Sequence, residues 1–193
     1  MYGTRAIQGV GQLGINNPSN AFALQNSGTV NANLAGLTLQ VAPGAASTNS
    51  GMMEANNGGK LTLIGAFDNT GGQILSTGPS SVVDFAGSSI TSGTLSASFG
   101  GAIQNTGAAT LNGVTISNST VNLADGSVTT LQGTTNNGVT FALNSTGTNT
   151  DLKINSLALH PGASLTLPNN FNNRIYLAPC RPTPAALFTW SLH

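Results

Sequence analysis

Residues 24–33 read Leu24-Gln25-Asn26-Ser27-Gly28-Thr29-Val30-Asn31-Ala32-Asn33. A polar turn closes on Gly28, and a short strand follows in which Val30 and Ala32 alternate with polar residues. The unit recurs at Thr48–Asn57, Asp68–Ile74, Ile90–Ala97, Leu111–Ile116 and Thr135–Phe141. Its glycines are Gly28, Gly51, Gly71, Gly93, Gly113 and Gly138, spaced by 23, 20, 22, 20 and 25 residues. Self-similarity at a period of about 20 residues is the signature of a repeat architecture.

A second strand follows in most units, with the pattern apolar-x-apolar: Leu37-Thr38-Leu39, Leu61-Thr62-Leu63, Val121-Asn122-Leu123, Leu152-Lys153-Ile154 and Leu165-Thr166-Leu167. Alternation at period two marks a strand with one buried face. Lys153 falls on the outward phase, where its charge is solvated. Short strands broken by Asn-Gly, Gly-Gly and Asp-Gly signals also suit an antiparallel sandwich. Sandwich strands are longer and anchored by aromatics, however, and aromatics are 5% of this chain. The period instead fits one coil of a parallel β-solenoid with two or three short strands. In that fold like residues stack on like, so Leu, Val and Ile form interior ladders while Asn and Thr form ladders at turns. Parallel crossovers are overwhelmingly right-handed. The expected fold is therefore all-β, a right-handed parallel β-helix (β-solenoid) whose coils match the repeat period. Seven coils would make a rod roughly 34 Å long at the strand spacing.

Composition agrees. Gly, Asn, Ser and Thr make up nearly half of the 193 residues, and charged residues 5%, with five basic and five acidic side chains and no net charge. There is no basic footprint for nucleic acid and no charge-driven disorder. Soluble helices need a charged face, which this composition cannot supply. No apolar run approaches the length of a membrane span. The opening residues carry no unbroken apolar stretch after Arg5 and do not read as a signal peptide. Cys180 is the sole cysteine, so no internal disulfide framework and no multi-cysteine zinc site is expected.

Three segments follow. Residues 1–23 read as an N-terminal coil or cap. Gly9-Val10-Gly11-Gln12-Leu13-Gly14 has dinucleotide-fingerprint spacing but lacks its context, since Asn16-Asn17-Pro18 follows and no acid occurs before Glu54. Residues 24–176 read as the solenoid. Residues 177–193 abandon the pattern, with the only Trp and Cys180, and read as an irregular tail, a cap or a frame run-on.

The turn-and-strand unit at Asn26–Ala32, with Glu54-Ala-Asn-Asn-Gly-Gly-Lys-Leu-Thr-Leu63, resembles the passenger repeats of bacterial autotransporters and filamentous-haemagglutinin-like adhesins. The likeness spans residues 1–176 and is clearest over 24–167. It implies a secreted right-handed parallel β-helix, extracellular or on the cell surface, serving as a stalk or adhesive surface. It also implies that the chain is a section of a longer array, with glycans or surface proteins as partners.

Parallel β-helices also include polysaccharide-cleaving enzymes, whose chemistry needs paired carboxylates. The acids are Glu54, Asp68, Asp84, Asp125 and Asp151. Counted from the preceding repeat glycine, Asp84, Asp125 and Asp151 stand at +13, +12 and +13. On that count they line one side of the rod, with Asp125 and Asp151 one coil (about 5 Å) apart. Each also reads as an ordinary turn residue, and the calcium signature of β-rolls is absent. His160 precedes Pro161-Gly162 in a turn, His193 is terminal, and no serine has a credible His and acid partner. Asn118 and Asn144 fit the glycosylation pattern, as chance dictates in such a sequence. Thr146-Gly-Thr148-Asn-Thr150 offers the Thr-x-Thr run of ice-binding solenoids, which neighbouring units do not repeat. The expectation is a non-enzymatic structural or adhesive segment with no catalytic, cofactor or metal residues. Its alternatives are a carbohydrate-active enzyme and a truncated fragment with no function of its own.

Overall fold

Ile7, Val30, Met53, Ile74, Leu95 and Ile116 occupy one column, each paired in register with the next across parallel strands. Val30 to Ile116 are essentially inaccessible to water. The period-two alternation thus buries one side of each short strand, and stacking joins those sides into a continuous apolar interior. The computed structural model describes residues 5–178 apart from Asn169. Over these residues the chain is a right-handed parallel β-solenoid of about 8 turns with a repeat of roughly 22 residues.

Each coil contributes to three faces. Face 1 is an eight-stranded parallel sheet running from Ala6–Gln8 through Thr29–Ala32 and Met52–Ala55 to Leu157–Leu159. Faces 2 and 3 form one 14-stranded sheet, because the strands Lys60–Asp68 and Val82–Thr91 run through the corner between them. On face 2, Leu39, Leu61, Val83, Ile103, Val121 and Phe141 stack inward. On face 3, Phe67, Ile90, Leu111, Leu131 and Ile154 do so. Each buried aliphatic or Phe side chain contributes about 1.5–3 kcal/mol of transfer free energy.

Stacking satisfies some of the polar residues that enter this interior. At the corner from face 3 to face 1, the Asn26 side-chain amide donates to Asn49 Oδ1 and the Asn49 amide to Asn69 Oδ1, both at 2.6 Å. Asn69 completes the ladder by donating to the Gly72 carbonyl oxygen. All three are buried. The same corner explains its glycines. A Cβ on Gly51 would collide with the Gly28 carbonyl of the coil before it, and one on Gly72 with the Asn49 carbonyl. The chain turns so tightly here that backbone lies directly on backbone.

Several expectations need correction. The second strands do not share one face: Leu61-Thr62-Leu63 lies on face 2 and Leu152-Lys153-Ile154 on face 3. Lys153 does point to solvent, but Leu37 and Leu167 are 48% and 47% exposed. Gly138 is not equivalent to Gly28, Gly51 and Gly93. It follows the strand Thr134–Asn137 and begins the turn to face 2, whereas Gly28 precedes its face-1 strand. Gly72, not Gly71, holds the corner position before Gln73. The coils are also unequal. On face 1, Ala6 pairs with Thr29 and Thr134 with Leu157, whereas Thr115 pairs with Thr135 after a shorter stretch of chain. The coils at both ends of the rod are therefore longer than those between.

In the N-terminal segment, Ala6–Gln8 pairs with Thr29–Asn31 and Gly11–Leu13 with Leu39–Val41, completing an eighth rung ahead of the seven expected over the repeat region. At the other end Leu177 closes the last strand of face 3. Residues 179–193, with Cys180 and His193, lie outside the described residues.

Two substitutions test the corner. Gly51→Ala, which adds a Cβ against the Gly28 carbonyl, is expected to destabilise the fold by about 1–3 kcal/mol. Asn49→Leu leaves Asn69 Oδ1 without a partner and removes one of the two acceptors of the Asn26 amide, which keeps only the Met52 carbonyl, and is expected to cost about 1–3 kcal/mol. Thermal melts followed by circular dichroism measure both, and an unchanged melting temperature would contradict the corner geometry.

Candidate functional site

The five acids define where chemistry could reside, and the solenoid sends them to different places. Glu54 lies on the outward phase of face 1, opposite Asn31 and Leu75. Partial burial raises its pKa, and the Asn56 side chain donates to it at 3.1 Å. Asp68 is on the outward side of face 3. The Thr70 backbone N–H and hydroxyl both donate to its Oδ1, at 3.0 and 2.6 Å, and hold its pKa below the usual range.

Asp84 is on face 2, opposite Thr62 and Gln104, and is 1% exposed despite its outward phase. Lys60 Nζ stands 2.7 Å from its Oδ2, and the Thr106 N–H and hydroxyl donate to it from the next coil at 3.2 and 3.0 Å. A buried carboxylate demands this company, since an unpaired one would be strongly destabilising. Lys60 and Asp84 come from successive coils, so the ion pair clips the stack together.

Asp125 occupies the corner between faces 2 and 3. Its carboxylate accepts from the backbone N–H groups of Thr146, Gly147 and Thr148 at 3.0, 3.3 and 2.9 Å, and from the Thr146 hydroxyl at 3.0 Å. These donors lower its pKa to about 2. The Thr146-Gly-Thr148 run is thus part of a corner fastened to the coil before it. The same corner continues into the next coil, where Asn170 donates to the Ser145 carbonyl oxygen and Asn173 accepts from the Ser145 N–H, both at 2.9 Å.

Asp151 sits on face 3, opposite Val128 and Arg174. Arg174 grips it through Nε and a terminal nitrogen at 2.7 and 2.9 Å, with its guanidinium 5.4 Å from the Tyr176 ring centre. The expected alignment of Asp125 with Asp151 does not hold. Asp151 pairs in register with Val128, three positions beyond Asp125, and Asp84 lies on another face. The counting error came from Gly138, which belongs to a different corner. His160 is exposed in the turn from face 1 to face 2.

Among the described residues, no group of three or more His, Cys, Asp or Glu side chains converges to hold a metal ion. What sequence reasoning missed is the pairing of the half-exposed Lys60 with the buried Asp84. The separation of Lys60 from Asp84 along the chain is close to one repeat, and that spacing was the available signal.

Comparison with family models, with curated proteins and with solved structures gives no match. The class is therefore the one the fold defines: a parallel β-solenoid repeat protein.

The Asp125 cradle has a pH signature. Because the folded pKa is below that of the unfolded chain, its stabilisation is complete above about pH 4. It is lost as pH falls through about 2. Asp125→Ala is expected to melt below the native protein at pH 6, with the gap closing between pH 4 and pH 2. A gap that stays constant across that range would show that the carboxylate charge is not what fastens the corner.

Proposed function

We propose that this chain is a non-enzymatic segment of a bacterial surface or secreted protein, acting as a stiff stalk and a multivalent adhesive surface. The outward columns carry this reading. On face 1, Thr94, Thr115 and Thr135 stack in one column and Ser96, Ser117 and Asn137 in the next. On face 3, Thr91, Asn112 and Gln132 stack likewise. These are flat rows of uncharged hydroxyl and amide groups repeated at about 4.8 Å. Such rows offer many equivalent weak contacts, which become strong only when engaged together.

Continuous inter-coil hydrogen bonding supports the stalk role. The carboxylates support a reading without catalysis. Hydrolysis of a glycosidic bond uses two carboxyl groups flanking that bond. Here the Asp84, Asp125 and Asp151 carboxylates are held by Lys60, by the Thr146–Thr148 backbone and by Arg174. Asp68 and Asp151, both on face 3, are four rungs apart, roughly 19 Å. The resemblance of the Asn26–Ala32 unit to autotransporter and haemagglutinin-like passengers supports the bacterial surface setting.

The test is avidity. The chain coupled densely to beads is expected to adhere to glycan- or cell-coated surfaces, while the free monomer competes only at millimolar concentration. Equal failure of beads and monomer on all such surfaces would defeat the adhesive reading. Release of reducing ends from a polysaccharide, abolished by Asp84→Asn, would replace it with an enzymatic one.

A further inference from the structure

The corner between faces 2 and 3 varies in length along the rod. In the first coil it spans residues 14–24, between the strands Gly11–Leu13 and Gln25–Asn26, and in the second residues 42–46. These two segments pack on each other: the Asn16 N–H donates to the Ala42 carbonyl at 2.7 Å and the Phe22 N–H to the Pro43 carbonyl at 2.9 Å. In the third and fourth coils the extra chain is gone, and Lys60–Asp68 and Val82–Thr91 run straight through. Thickened coils therefore stand next to thin ones.

At that step a depression of about 360 Å³ opens on face 3. Ala46, from the thickened corner, lines it together with Thr48, Ala66, Asp68, Ser89 and Thr91. Thr48, Asp68 and Thr91 form one outward column over three successive rungs, and Ala66 and Ser89 pair beside them. Because Thr70 occupies Asp68 Oδ1, Oδ2 is left to accept from a ligand.

We propose that this depression is a binding subsite for a neutral glycan chain lying along the solenoid axis. The inference rests on the adhesive reading and locates it. Each sugar of an extended polysaccharide advances the chain by roughly the step between successive rungs, about 4.8 Å. One sugar then meets Thr48, the next Asp68 and the next Thr91, with the Ala46 and Ala66 methyl groups against the C–H faces of the rings. Asp68 is the strongest acceptor in the row, since hydrogen bonds to a charged group are the stronger ones. The same negative charge selects against uronic and sialic acids, because like charges repel at this range.

The experiment is amide chemical-shift mapping on the full chain, titrated with tetrasaccharides of glucose, mannose, galactose and N-acetylglucosamine and with tetragalacturonate. The expected result is millimolar binding of at least one neutral tetrasaccharide, with shifts gathered on residues 46–48, 66–68 and 89–91. Asp68→Ala should weaken it about tenfold or more. Thr91→Val should weaken it less, and Lys153→Ala, an exposed position near the other end of face 3 and outside the depression, should leave it unchanged. Neutral glycan binding that maps elsewhere, or that survives Asp68→Ala, overturns this subsite and leaves the adhesive reading standing. Preferential binding of tetragalacturonate at these residues overturns the neutral class. Absence of binding by the free chain, together with failure of the bead assay, overturns both readings.

Discussion

Each rung of this protein is hydrogen-bonded in register to the rung before and after it, and that one constraint governs which residue can stand where. A side chain pointing inward meets its counterparts in the neighbouring coils at about 4.8 Å. Apolar residues therefore form columns, as Val30, Met53, Ile74, Leu95 and Ile116 do, until Asn136 takes the next place by bonding to Val139 of its own turn. A buried amide standing alone would lose hydrogen bonds worth about 1–3 kcal/mol. Stacked, each amide donates to the next, and Asn26, Asn49 and Asn69 sit in the interior without orphaned donors.

The corners obey the same constraint. Where one coil's backbone rests on the backbone beneath, only glycine fits, and Gly28, Gly51, Gly72 and Gly93 occupy that place. Where the corner is longer, a side chain from the preceding coil reaches up to fasten it, as Asp125 does for residues 146–148. The few charged groups work largely as clips between successive coils: Lys60 with Asp84, and Asp151 with Arg174. This leaves the outer faces to hydroxyl and amide groups, and it is those faces that the adhesive reading uses.

Much of the architecture was legible in the chain. The repeat, the period-two alternation and the scarcity of charge all point to a solenoid, and Lys153 marks the outward phase correctly. Face identity was not legible, because alternation distinguishes inside from outside without saying which side of the coil a strand occupies. Leu152-Lys153-Ile154 and Leu61-Thr62-Leu63 look alike yet lie on different faces. Register was not legible either, since corner lengths vary. On face 2, Gly11 meets Leu39 after a long excursion of chain, whereas Ile103 meets Val121 after a much shorter one. Counting from Gly138 therefore misplaced Asp151 against Asp125. The depression on face 3 depends on the same corner lengths and had no linear signature.

The amino-acid sequence by itself determined that this chain coils: its apolar residues recur too briefly and too regularly for any strand to be buried except by stacking on its own repeats. The tertiary structure alone decided which residues meet. Asp84 finds Lys60, Asp125 finds the Thr146–Thr148 backbone, and Thr48, Asp68 and Thr91 share a column. Those pairings are set by how many residues each corner absorbs, a quantity fixed only when the backbone hydrogen bonds of neighbouring coils come into register.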